Sequence, residues 1–322
     1  MGADRPDDAD MPPDDHPDRR DDQAGSGDEA ARPGNPQAET RTRQEYYSDL
    51  RVTVSREESA VAQRITAEEQ TASQKWQEQV TESRWMWTEY QRRWPPEERP
   101  PVDRSKDPPG TWRGEGGRVL EPADNARIEA ACDRIADREE KKISPTLRAI
   151  ESQDPDRYLI GLKDCLKGRD RIKEKVAKNM AEKGLTSEDA LSRVPDTIRF
   201  TFQYDEARYT QGVREDIVRM KEHGLKLDIS KNSWLSDQYK GINSQWIEPD
   251  TGQRFEVQFH TRISFEAKQI THPAYERLRT KQADAFEELV LEAFQKKVTA
   301  EVPVPPGAND IPDYPERGRY AG

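Results

Sequence analysis

At Val194 the chain changes period. Ile198, Phe200, Phe202 and Tyr204 alternate with Arg199, Thr201 and Gln203. A repeat of two sends successive side chains to opposite faces, so this stretch reads as a strand with one apolar face. Such a strand needs partners, and two more alternating segments supply them. Tyr239 to Ile247 and Arg254 to Thr261 flank Pro249-Asp250-Thr251-Gly252, a turn composition, and predict an antiparallel hairpin. A shorter strand is expected over Leu225 to Ser230. Between them, Tyr209 to His223 carries Val213, Ile217 and Met220 at helical steps and stops at Gly224, a residue suited to closing a helix.

Helices bracket these strands. Asn125 to Lys142 places Ile128, Ala131, Cys132, Ile135 and Ala136 on one side, Ser144-Pro145 opens a short helix, and Arg169 to Lys183 ends at Gly184. A final helical region is expected over Ser264 to Val298. Helices, strand, helix, strand, hairpin and helices make an α+β domain over 121–300, a small mixed or antiparallel sheet flanked by helices.

The rest of the chain is less able to bury itself. Residues 1–42 hold 12 Asp plus Glu against five Arg, hence −7 of the total −11, with six prolines and no Phe, Trp or Tyr. Too little apolar surface is present to offset the entropy of ordering them, and disorder is expected. Over 43–94, Ser55-Arg56-Glu57-Glu58 reads as a capping box and Val61, Ile65, Ala72, Trp76, Val80, Trp87, Tyr90 and Trp94 recur at helical steps. That predicts one long helix ended by Pro95-Pro96, with Trp85 beside the stripe. Such a stripe suits packing on the chain's own domain, and equally a protein partner or self-association. Residues 95–120, rich in Pro and Gly, read as a linker, and 301–322 as a proline-rich tail.

A sequence pI near 5.2 argues against a dedicated duplex-DNA binder, which needs a basic surface to displace counterions. No apolar run reaches bilayer length and the N-terminus is acidic, so no membrane span or secretory signal is expected and the expected location is cytoplasmic. Cys132 and Cys165 lack close cysteine neighbours, and His16, His223, His260 and His272 lack ligand spacing, which leaves zinc without a site.

Chemistry concentrates in two places. With Phe255, Val257 and Phe259 facing a core, Arg254, Glu256, Gln258 and His260 share the other face of their strand. A carboxylate among hydrogen-bonding groups on a rigid strand suits Mg²⁺, although the same pattern describes a solvated sheet face. Residues 163–183 carry eight Lys or Arg against four Asp or Glu, a basic segment in an acidic protein. It fits phosphate binding as well as a solvated helix with paired charges. Tyr239 shares a face with Gly241 and Asn243 and is either a core ring or one exposed to a ligand, which Gly241 would let approach the backbone.

Taken together, these segments resemble the RelA/SpoT-type nucleotide pyrophosphokinase domain. Glu256-Val257-Gln258-Phe259-His260-Thr261 resembles its E-[IV]-Q-[IFL]-x-T strand, and Tyr239-Lys240-Gly241-Ile242-Asn243 its G-Y-x-[SG]-[IV]-[HN] strand. His272-Pro273-Ala274-Tyr275 resembles its H-x-x-Y segment, Asp196-Thr197-Ile198-Arg199 a D-x-x-R first strand, and Lys167 through Lys175 the lysine-bearing helix ahead of it. The five elements follow the family's order over a little under half of the chain. No His-Asp hydrolase pattern precedes them, so synthesis without hydrolysis is expected.

The resemblance implies transfer of the β,γ-diphosphate of ATP to the 3′-hydroxyl of a purine nucleotide. Asp196 and Glu256 would hold Mg²⁺, and Glu256 would also polarise the attacking hydroxyl. Tyr239 would stack on the acceptor base, while Lys167, Lys175 and Arg199 would hold phosphates, with Asn243 and Gln258 beside them. Cys165 and Arg171 stand where the family commonly has Arg and Ser, so Arg169 or Arg171 would rebuild the donor side. Two alternatives are a tRNA 3′ end as acceptor, and a non-catalytic nucleotide sensor that works through the Trp-rich helix.

Overall fold

The computed structural model describes residues 67–95, 102–280 and 283–315. The acidic leader and the capping box at Ser55 lie outside them. Described elements in chain order are α1 (Ala67–Arg93), β1 (Trp112–Arg113), β2 (Val119–Leu120), α2 (Pro122–Arg138), α3 (Ser144–Glu151), β3 (Arg157–Ile160), α4 (Arg169–Lys183), α5 (Ser187–Ser192), β4 (Arg199–Tyr204), α6 (Glu206–Glu222), β5 (Lys226–Asn232), β6 (Ile242–Glu248), β7 (Gln253–Thr261), α7 (Arg262–Arg279) and α8 (Ala285–Ala300). A π-helical segment, Glu139–Ile143, joins α2 to α3.

Five strands form a mixed sheet in the order β3-β4-β7-β6-β5, with β4 and β7 parallel and the other neighbours antiparallel. The alternation read from sequence governs its faces. Phe200, Phe202, Phe255, Val257 and Phe259 lie on one side, each at most 1% exposed, and each contributes about 1.5–3 kcal/mol of burial. Helix α6 covers this side, where Tyr209 Oη donates to the Phe259 carbonyl at 2.9 Å. A fully buried pair, Arg157 Nε to Asp216 Oδ2 at 2.6 Å, joins β3 to α6, and Tyr204 Oη donates to the same carboxylate at 2.5 Å. On the other side stand Arg199 and Thr201 of β4 with Glu256, Gln258 and His260 of β7.

Two expectations need correction. Residues 111–120 are no linker: β1 and β2 pair as a hairpin, Trp112 and Leu120 are buried against Ile128 and Ile172, and Trp112 Nε1 donates to Asp170 Oδ1 at 2.7 Å. Trp112 brings enough apolar area to order a Gly-rich segment. The last helical region is two helices, α7 ending at Arg279 and α8 opening at Ala285, where Asp284 caps α8 by accepting from the backbone of Phe286 and Glu287.

Two compact units divide the chain, 16–78 and 79–322 with 1–15. The described part of the first is the opening of α1, 67–78. In the second, the end of α1 lies on α8: Trp87 is 5.6 Å from Phe294 between ring centroids, and Tyr90 Oη donates to Glu287 Oε1 at 2.6 Å. Trp85 remains 64% exposed. The proline-rich tail closes the sheet edge, since Tyr314 and Ser230 exchange backbone hydrogen bonds of 2.8 and 2.7 Å and Asn232 Nδ2 donates to the carbonyls of Ala308 and Ile311. An edge strand covered in this way offers no template for further pairing.

Candidate active site

The polar face of the sheet is assembled by backbone pairing. Arg199 N donates to the Cys165 carbonyl at 2.7 Å and Lys167 N to the Thr197 carbonyl at 3.0 Å, so 165–167 runs beside the start of β4. That lays Lys167 against Asp196. Helix α4 starts at Arg169, immediately after Gly168, and carries Lys175 to the same carboxylate. Parallel register sets Arg199 level with Glu256, and antiparallel register sets Asn243 of β6 opposite Gln258.

The resulting cluster is almost wholly buried: Asp196 and Glu256 are each 2% exposed and Arg199 6%. Lys167 Nζ and Lys175 Nζ each lie 3.0 Å from Asp196 Oδ2, and Arg199 Nη2 lies 3.3 Å from it. Arg199 Nε is 2.7 Å from Glu256 Oε1, to which Gln258 Nε2 donates at 2.6 Å. Burial alone would raise the Asp196 carboxyl, but Lys167, Lys175 and Arg199 hold it well below the usual carboxylate range. Burial pushes the Lys175 ammonium down to about 8, against the pull of Asp196.

Sequence reasoning missed Lys268. Its Nζ reaches down from α7 and donates to Gln258 Oε1 at 2.8 Å. Gln258 is fully buried between Lys268 and Glu256, so its amide is oriented with the carbonyl toward the ammonium and the NH₂ toward the carboxylate. The signal was faint: a lysine on a helix that also bears Ile263, Ala267 and Thr271 among its buried residues. Asn243 lies beside this row with a buried Oδ1 that has no hydrogen-bond partner.

Three expected contributors lie elsewhere. Tyr239 precedes β6 instead of starting it and is 4% exposed; its Oη is 2.9 Å from His260 Nε2, and the two rings meet edge to face. No face of the ring is open for stacking. Burial, reinforced by the charge of Glu256, pushes its phenol well above the ordinary value. Gly241, at φ +150°, serves the His260 ring: a Cβ there would stand 2.7 Å from Cε1. Burial and then Lys268 hold the His260 imidazole well below its ordinary pKa, so it is neutral at pH 7. Arg169 pairs with Glu129 and Asp133 of α2, each at 2.5 Å, away from Asp196, and Arg171 is exposed on the same helix.

Asp196 and Glu256 both touch one guanidinium, so the two carboxylates converge on a single cationic centre. Hard oxygen donors, two in number, fit Mg²⁺, which takes one or two carboxylates and completes its shell with phosphate and water. Among the described residues no group of three or more His, Cys, Asp or Glu is placed to bind a metal.

No family model matches the chain, and no curated protein matches it in sequence. Solved structures similar to it include a GTP pyrophosphokinase family protein from Streptococcus pneumoniae, at 16% identity over 54% of this chain and 90% of that one, with a TM-score of 0.39. Another is small alarmone synthetase 1 from Bacillus subtilis bound to its product pppGpp, at 15% identity over 54% and 89%, TM-score 0.37. A third is the type VI effector Tas1 in complex with its immunity protein, at 16% identity over 56% and 92%, TM-score 0.31.

Proposed function

We propose that the chain is a diphosphotransferase that moves the β,γ-diphosphate of ATP to the 3′-hydroxyl of a purine nucleotide. The observation that carries this reading is the convergence of Asp196 and Glu256 on one cationic centre, walled by Lys167, Lys175 and Arg199. Diphosphoryl transfer gathers negative charge on the transferred oxygens, so its catalyst needs cations, a carboxylate pair and in-line positioning more than covalent chemistry. The motif order in the sequence supports the same reaction class.

Lys167, Lys175 and Arg199 exchange Asp196 for phosphate oxygens when the donor enters, and Asp196 and Glu256 are the residues that would hold Mg²⁺. The ion, when bound, neutralises phosphate charge. Glu256, oriented by Gln258 and Lys268, polarises the attacking hydroxyl. Asn243 Oδ1 accepts from the acceptor nucleotide, and Tyr239 supports that wall through His260. The acceptor is a free nucleotide in this reading, with half-buried Asn243 and buried Gln258 beside it. Incubation with labelled ATP, Mg²⁺ and each purine nucleotide, in wild type and Glu256→Gln, tests the assignment; equal product from both proteins removes Glu256 from the chemistry.

A further inference from the structure

A second basic site lies outside this cluster. Helix α2, helix α5 and the turn into β7 border an open cavity of about 460 Å³. Its apolar floor includes Ile128, Ala131, Ile135, Leu191 and Val194, and four arginines stand around it, Arg127, Arg134, Arg138 and Arg254. Two of these are already neutralised. Arg127 pairs with Asp124 at 3.0 Å and Glu188 at 3.5 Å, and Arg254 pairs with Asp228. Among the described residues no ion pair engages Arg134 or Arg138, which sit one helical turn apart so that both heads reach the same side of α2.

We propose that this cavity binds a small phosphorylated molecule with an apolar ring, a nucleoside monophosphate in its chemistry. Two unpaired guanidiniums match the two charges of a phosphate monoester, and each can grip it through paired N–H donors. The apolar floor takes the ring, in a volume within the ordinary range for small-molecule sites. A chain with a net charge of −11 repels anions at long range, so retention at this place rests on the local arginines. The cavity is also tied to the carboxylate cluster. Arg138 Nη1 donates to Gln253 Oε1 at 3.2 Å and Gln253 Nε2 to Thr197 Oγ1 at 3.3 Å, and Thr197 adjoins Asp196. The inference does not rest on the diphosphate-transfer reading, since it concerns other residues and needs no turnover.

Calorimetric titration of the full chain with adenosine 5′-monophosphate, adenosine and inorganic phosphate tests it. The monophosphate should bind, and adenosine and phosphate should each bind at least about tenfold more weakly, because each offers half of the match. The double variant Arg134→Ala/Arg138→Ala, altered at two positions on the outer surface of α2, should lose at least about tenfold in monophosphate affinity, and Arg134→Lys/Arg138→Lys should recover part of it. Lys175→Gln, which alters the carboxylate cluster instead, should leave in place the part of this binding that depends on Arg134 and Arg138. The proposal is overturned if the monophosphate does not bind, if removing both arginines changes nothing, or if Lys175→Gln abolishes binding with both arginines in place.

Discussion

Arg199 lies 2.7 Å from Glu256 across the parallel pair of β4 and β7, and the same guanidinium reaches Asp196 at 3.3 Å. One cation therefore holds together the two carboxylates on which the proposed chemistry depends. Replacing Glu256 by Gln preserves shape and hydrogen-bonding capacity while removing a charge. Diphosphate transfer should fall about a hundred- to a thousandfold, the usual cost of one electrostatic element, with some loss of stability because Glu256 is buried on Arg199. Near wild-type turnover would contradict the role.

Asp196→Asn should behave differently. It leaves three cations around a buried neutral amide, and breaking a buried ion pair by removing one partner costs about 3–5 kcal/mol. Denaturant unfolding should show that loss, and the Mg²⁺ concentration for half-maximal activity should rise. An unchanged Mg²⁺ titration would take Asp196 away from the metal.

Tyr239 separates a structural role from a stacking one. Because the ring is buried on His260, Tyr239→Ala should open a cavity costing about 3 kcal/mol or more. Tyr239→Phe should cost about 1–3 kcal/mol by leaving His260 Nε2 without its partner. A stable Tyr239→Ala with a raised Michaelis constant for the acceptor would restore the stacking role.

The Lys175 ammonium gives a pH signature. With its pKa lowered to about 8 by burial, the free protein loses above that pH the charge proposed to bind phosphate, so kcat/KM for the proposed transfer should fall as pH rises through about 8. Stability should move the other way. The unfolded lysine keeps its proton to higher pH than the folded one, so this group's contribution to stability rises between about 8 and its ordinary range near 10.4. A profile flat from pH 7 to 9.5, or one unaffected by Lys175→Arg, would remove Lys175 from donor binding.

Where local pattern and tertiary structure agree, the sequence was legible. The helix Arg169–Lys183 has the expected ends, because Gly184 adopts the left-handed conformation that terminates it, and the strand around Glu256 differs from expectation by one residue. Strand β3 was not legible: its four residues begin with an arginine whose burial is offset chiefly by Asp216, 59 positions on in helix α6, and by Asp154 just before the strand. The β1–β2 hairpin was masked by glycine and proline, and only the packing of Trp112 reveals it. Within the site, the Asp196, Lys167, Lys175, Arg199 and Glu256 grouping followed from motif order. Lys268 did not, because an isolated lysine on a helix carries no pattern, and Tyr239 was misplaced because the room over Gly241 belongs to His260.

Transfer of an intact diphosphate is the central claim, and ATP labelled separately at the β and γ phosphorus tests it most directly. With Mg²⁺ and a purine nucleotide acceptor, the account predicts that both labels move together to the acceptor's 3′ position in equal amount, that AMP is released one for one, and that Glu256→Gln lowers the transfer about a hundred- to a thousandfold. Release of ADP with only the γ label transferred, or no labelled acceptor with any purine nucleotide, would contradict it.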